Sequence, residues 1–70
     1  MSRYLIVIEN AGSNYSAYSP DLPGCATTGA TVDETKGNME GAIEFHIEGL
    51  REEGLPVPKP SSIVDYVEIP

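Results

Sequence analysis

The sequence holds one cysteine, one histidine, no tryptophan and only four basic residues. With Cys25 alone, no disulfide can form within the chain, so packing must carry the fold, and a reducing cytoplasm suits it. One histidine and one cysteine fall short of the four nitrogen or sulfur ligands of structural zinc, so no metal is expected. Arg3, Lys36, Arg51 and Lys59 are too few and too scattered to neutralise a run of phosphates, which argues against direct nucleic-acid binding. The apolar run Leu5 to Ile8 is far short of the ~20 residues that span a bilayer or the 7–15 of a signal peptide. No membrane segment is therefore expected, and Met1 reads as the mature start. The glycines at Gly12, Gly24 and Gly29 are isolated and no Gly-Lys-Ser/Thr follows, so a phosphate loop is absent and no cofactor is implied.

What is present is a 70-residue chain that is 40% hydrophobic, read as a single domain over residues 1–70. A chain this short buries only about 60% of its unfolded surface, so assembly into a homo-oligomer, a dimer or tetramer, is expected to supplement its core. Eleven acidic residues against the four basic ones give a net charge of −7, a field that favours a basic partner and speeds its encounter at low salt.

Arg3 to Glu9 is a β-branched, apolar run with Tyr4, Ile6 and Ile8 on one face and Leu5 and Val7 on the other, which reads as a strand. The polar stretch Asn10 to Asn14 turns the chain into a second strand near Tyr15 to Ser19. Pro20-Asp21-Leu22-Pro23-Gly24 then forces a rigid corner, and Cys25 to Thr28 reads as a short third strand. Thr31-Val32-Asp33-Glu34 has the capping-box form and predicts a helix from Val32 to about Glu53, ended by Gly54 and Pro56.

On a helical wheel Val32, Met39, Ala42, Ile43, His46 and Leu50 gather toward the sheet, with Ile47 at their edge. Phe45 falls well away from this stripe and reads as a subunit contact. Glu40, Glu44, Glu48 and Glu52 form a like-charge ladder on the outer face, a candidate partner-binding surface whose bland alternative is a solvated helix face. Gly37, Gly41 and Gly49 lower the intrinsic propensity, so packing must hold this helix. Pro56, Pro58 and Pro60 stiffen a connector that leads to a last strand, Ile63 to Ile69.

The order β-β-β-α-β follows, an α+β domain. A three-stranded antiparallel meander carries the helix on one face, and a right-handed crossover brings the last strand parallel to the first, giving sheet order 3-2-1-4. The stiff connector equally permits the last strand to join a neighbouring subunit's sheet.

Chemistry has little to work with. Nucleophilic catalysis needs Cys25 or a hydroxyl beside His46, and His46 lies on the core-facing side. Metal-dependent hydrolysis needs Glu9, Asp65 and a helix glutamate to converge, and the glutamate ladder faces away from the sheet. No catalytic residue is assigned, and the chain is not expected to be an enzyme.

The text YSAYSPDLPGCATTGAT from Tyr15 to Thr31, the helix with Ala42, Ile43 and Leu50, and the Gly54-Leu55-Pro56-Val57-Pro58 end together resemble the HicB-like antitoxin family. The resemblance covers roughly residues 3 to 62, with Pro20, Asp21, Leu22, Pro23, Gly24 and Cys25 as its most specific core, a structural corner. It implies a partial ribonuclease-H-like fold used for binding. It also implies a partner of the HicA type, a small basic mRNA-cleaving toxin that the chain would neutralise by covering it. Many members continue into a C-terminal DNA-binding module. This sequence ends at Pro70, so DNA binding is not carried over and a short, single-domain member is expected. The alternative is a stand-alone oligomer of the same fold with another protein partner or a small-molecule role.

Overall fold

Alternating apolar side chains, a polar glycine loop and a proline corner dictate a short meander. The computed structural model, which describes residues 2–70, contains one: β1 (Val7–Asn10), β2 (Tyr15–Tyr18) and β3 (Ala26–Gly29), followed by α1 (Val32–Glu52). The sheet order is β1-β2-β3, antiparallel throughout, with Ile8 opposite Ala17 and Ala17 opposite Thr27. The first turn is closed by the Ala11 N–H donating to the Asn14 carbonyl and the Gly12 N–H donating to Asn10 Oδ1, with Gly12 at φ +97°.

The helix starts as its capping sequence dictates. Thr31 Oγ1 accepts from the Glu34 N–H at 3.1 Å, while Glu34 Oε2 reaches back one residue further than in the usual box, to the Ala30 N–H at 3.3 Å. It ends in a Schellman motif: the Leu55 N–H donates to the Leu50 carbonyl, the Gly54 N–H donates to the Arg51 carbonyl, and Gly54 takes φ +71°.

The core is small: Ala17, Leu22, Cys25 and Met39 are buried, with Tyr4, Ile6, Ile8, Ala42, Ile43 and Ile47 packed against it. Two wheel assignments need correction. Val32, expected on the core side, is 48% exposed, and Thr35 takes the buried place at the head of the helix. The cause is the close approach of α1 to β3. A Cβ at Gly29 would lie 2.8 Å from the Thr35 nitrogen and 2.9 Å from its Cα, so the absence of a side chain there lets the helix backbone sit on the strand. The Thr35 hydroxyl is satisfied by donating to the Thr31 carbonyl at 2.7 Å, which makes its burial inexpensive. Asn38 Nδ2 donates to the Thr28 carbonyl and fixes the helix azimuth one turn on. Docked in this way, α1 lies mainly over β3 and β2 and least over β1. The apolar ridge accordingly runs through Met39, Ile43 and Ile47, while His46 and Leu50 are half-buried outside the core cluster.

The first strand is also shorter than expected. Only Val7–Asn10 have ladder partners, because β2 bends into the corner after Tyr18. Tyr4 to Ile6 are half-buried but have no ladder partner on either side, although the Ser19 hydroxyl donates to the Leu5 carbonyl at 3.0 Å.

The largest departure is at the C-terminus. The expected last strand, Ile63 to Ile69, pairs with no strand among the described residues, so the sheet there keeps the order 3-2-1 without a fourth member. Its side chains stand in solvent: Ile63 is 90% exposed, Val64 62%, Tyr66 88%, Val67 84% and Ile69 82%. The physical reason lies at its root, where the preceding connector is tied to the body and launches the segment outward as an arm. The Tyr4 hydroxyl donates to the Pro58 carbonyl at 2.6 Å, and Ser61 and Ser62 are held by Asp21. The Cα radius of gyration is 13.4 Å, against about 11 Å usual for a compact chain of this length.

Candidate interaction surface

The corner that carries the sequence motif is a structural joint with one external task. Leu22 is fully buried and Cys25 nearly so, and the Ser19 N–H to Cys25 carbonyl bond extends the β2-β3 ladder across the corner. Within it the Leu22 N–H donates to the Ser19 carbonyl and the Cys25 N–H to the Leu22 carbonyl. Gly24 sits at φ +84°, a region that costs an L side chain roughly 1–2 kcal/mol. Pro20 and Pro23 are exposed and act by restricting the backbone.

Asp21 does more than shape the turn. Its two carboxylate oxygens accept from the Ser61 N–H and Oγ and the Ser62 N–H and Oγ, at 2.8–3.2 Å. These bonds favour the ionised form and lower its pKa below the usual 3.8, the Ser62 hydroxyl contributing most and burial opposing. The corner therefore clasps the connector forty residues later in the chain. Sequence reasoning missed this contact, although a serine pair closing a proline-rich run offers four donors to a suitably placed carboxylate.

Burial raises the Cys25 thiol pKa above its ordinary value, the opposite of what a nucleophile requires. Among the described residues no group of three or more histidine, cysteine or carboxylate side chains is placed to hold a metal ion. Glu9 is exposed at the end of β1 and Asp65 lies out on the arm, so the pair considered for metal-assisted hydrolysis is not gathered in a pocket. Among the same residues no helix is long and apolar enough to cross a membrane.

The surface features that remain are two. Glu40, Glu44, Glu48 and Glu52 are all exposed but do not share one face: Glu40 borders the cleft between α1 and the β1 end with Arg3, Lys36 and Met39, while Glu44, Glu48 and Glu52 line a shallow groove with Ile47 and Arg51. Because four residues exceed one helical turn, each successive glutamate is displaced by about 40°, and the ladder winds toward the line occupied by Phe45. Phe45 is 79% exposed. Gly41 and Gly49, one turn below and above it, add no side chain to that line, so the ring stands clear of its own helix. The second feature is the apolar arm.

A family model described as the HicB-like antitoxin of bacterial toxin-antitoxin systems matches residues 4–70. The chain belongs to the HicB-like antitoxin family. A chain of the solved HicA3 and HicB3 toxin-antitoxin complex is similar to it, with a TM-score of 0.75 and 37% identity, covering 84% of this HicB-like chain and 70% of that one. An uncharacterised 14.9 kDa protein of Haemophilus phage HP1 is 40% identical over 96% of the chain, which spans 50% of that relative. A UPF0150 protein of Synechocystis is 39% identical over 94% of the chain and 85% of the relative. The HicB-like chain thus spans half the length of the phage protein and most of the cyanobacterial one.

Proposed function

We propose that this HicB-like chain is a non-enzymatic binding module of the cytoplasm that neutralises a small basic toxin of the HicA type by covering it. The observation that carries this reading is the outer face of α1. An exposed aromatic ring on the same helix as the exposed carboxylates of Glu44, Glu48 and Glu52 has the anatomy of a contact surface for a cationic protein, an apolar anchor with a charged rim. Family membership and the likeness to a chain of a toxin-antitoxin complex support the choice of partner. A like-charge ladder that is mildly unfavourable on an isolated helix becomes favourable once lysines and arginines face it. Phe45, first read as a subunit contact, shares this face with the glutamates and is assigned here to the toxin.

The test is co-expression with a small basic toxin of the HicA type. The wild type should relieve growth arrest, and the Glu44→Lys/Glu48→Lys variant should fail to do so. Binding measured from low to moderate salt should weaken steeply for the wild type and hardly change for the variant. Equal affinity and equal salt dependence for both chains remove the glutamate face from the interface.

A second reading, a stand-alone oligomer with no toxin, is favoured by one observation: the five large apolar residues of the arm are exposed. A chain that assembles with itself and binds no basic neighbour would fit that reading.

A further inference from the structure

We infer that Ser62 is a phosphorylation site, where the phosphoryl group delivered by an ATP-dependent protein kinase shifts the connector from Asp21 to Arg3. The inference concerns the setting of the C-terminal segment and stands whether or not a toxin is bound. It begins from a clasp that depends on two hydroxyl hydrogens. Asp21 Oδ2 accepts the Ser61 and Ser62 N–H groups at 3.2 Å each, and Oδ1 accepts the Ser61 and Ser62 hydroxyls at 3.1 and 2.8 Å. Among the described residues these are the two serine or threonine hydroxyls that donate to a carboxylate. Ser19 and Thr35 are buried and donate to carbonyls, and Thr31 Oγ1 caps the helix.

The pair is open to an enzyme. Both serines are exposed, and from Leu55 onward the chain belongs to no helix or ladder. Their N–H groups bond to the Asp21 side chain rather than to a strand, so this stretch can be drawn out as an extended strand on another protein without opening the sheet. Pro60 fixes its own backbone and keeps Lys59 extended, which presents the two serines at the end of a stiff run. In the transfer, the γ-phosphoryl group of ATP forms a bond to Ser62 Oγ and loses its bond to the β,γ-bridging oxygen. ADP leaves, and the hydroxyl proton passes to the kinase's base.

The product cannot keep the clasp. Ser62 Oγ no longer carries a hydrogen, and a group of about −1.5 to −2 charges stands where the hydroxyl had donated to Asp21, so repulsion replaces the bond. Ser62 also lines an open cleft of about 410 Å³ with Arg3, Tyr4, Leu5, Ile6 and Val64, and none of these brings a carboxylate. Arg3 is exposed there, and a guanidinium takes a phosphate through two parallel N–H bonds. Ser61 shares the same Asp21 oxygen but does not line the cleft, which assigns the site to Ser62. The connector thereby has two positions, held by Asp21 of the corner when unmodified and by Arg3 ahead of β1 when phosphorylated.

Two measurements on the full chain test the site and the switch separately. Isolated from growing and from starved cells that encode it, and cut with trypsin after Arg51, the chain yields a peptide of residues 52–70 whose only serines are Ser61 and Ser62. Mass spectrometry should find this peptide with one phosphoryl group on Ser62, and unmodified peptide alone from both cultures overturns the site. For the switch, the chain is assembled chemically with phosphoserine at position 62 and titrated by carbon and phosphorus magnetic resonance. Asp21 should titrate closer to its ordinary 3.8 than it does in the unmodified chain. The second ionisation of the phosphate should lie about half a unit below that of the free phosphorylated peptide, because a cation favours the dianion, and Arg3→Gln should erase the difference. A phosphate that titrates above the free peptide still faces Asp21, which overturns the switch. A lowering that survives Arg3→Gln and disappears with Lys59→Gln overturns it equally, since the phosphate then pairs within its own connector.

Discussion

The corner Ser19 to Cys25 and the arm Ile63 to Ile69 are both seven residues long and both follow a proline-marked change of direction or include one. Their fates are opposite. The corner places Ser19, Leu22 and Cys25 at 2%, 0% and 4% exposure, while the arm's five large apolar residues stand between 62% and 90% exposed. Hydrophobicity does not explain the contrast, since the arm is the more apolar of the two. A turn satisfies its backbone within itself, here through three hydrogen bonds among Ser19, Leu22 and Cys25, and can then drop a side chain into the core. A strand has no such internal solution, because every second backbone group points sideways and needs a neighbour.

The largest break in this comparison comes from trimming each region equally. Leu22→Ala removes a fully buried side chain from a core of few members and should cost about 2–5 kcal/mol of protomer stability. Ile69→Ala trims a side chain that is 82% exposed and should change protomer stability by less than about 0.5 kcal/mol. Urea unfolding at a concentration low enough to populate monomers measures both. Similar losses from the two substitutions would mean that the arm packs on its own body.

A smaller effect sharpens the link between the two regions. The Asp21 carboxylate belongs to the corner but its four bonds hold the root of the arm, and they depress its pKa below 3.8. The sign follows: a carboxylate whose folded pKa is lowered stabilises the structure above the unfolded value, and the contribution is lost as pH falls through the folded one. Asp21→Asn should speed amide exchange at Ser61 and Ser62 at neutral pH. In the wild type the same release should come only on acidification below pH 3.8, followed by the Asp21 carboxyl resonance. A release midpoint above that value would show that another group carries the clasp.

The corner was legible in the sequence and the arm only half so, for the same physical reason. Turn chemistry, caps and helix stops are local, so Pro20 to Gly24, the Thr31 cap and the Gly54 stop could be placed within a residue or two. The strand character of Ile63 to Ile69 was also visible, but whether a strand finds its partner depends on how a remote segment is anchored. That anchor is the contact of Asp21 with a serine pair forty residues away, which no periodicity encodes. The helix face shows the same limit. A wheel gives the direction of the apolar stripe, yet the exchange of Val32 for Thr35 in the buried set was decided by the missing side chain at Gly29. For the acidic surface, sequence gave the spacing of Glu40, Glu44, Glu48 and Glu52. The structure adds that Phe45 is exposed on the same helix and that Glu40 borders a different cleft from the other three.

The smallest effect expected is on the helix itself, and it separates a surface retained for binding from one that merely faces solvent. Glu48 has a glutamate four residues before it and another four after it, Glu44 and Glu52, all exposed. Each like-charge pair at this spacing costs about 0.2–0.5 kcal/mol, so Glu48→Lys converts two repulsions into attractions while adding a like charge three residues before Arg51. From these spacings the net should be a gain of about 0.5 kcal/mol in the unfolding free energy at low salt, shrinking as salt screens the charges. The same substitution should weaken capture of a basic partner. A variant that is more stable yet a poorer binder shows a helix whose repulsions are relieved by what docks on it. A variant that is more stable and binds as well as the wild type shows that the ladder has no partner to relieve it, and moves the search for the toxin contact to the rest of the Phe45 face.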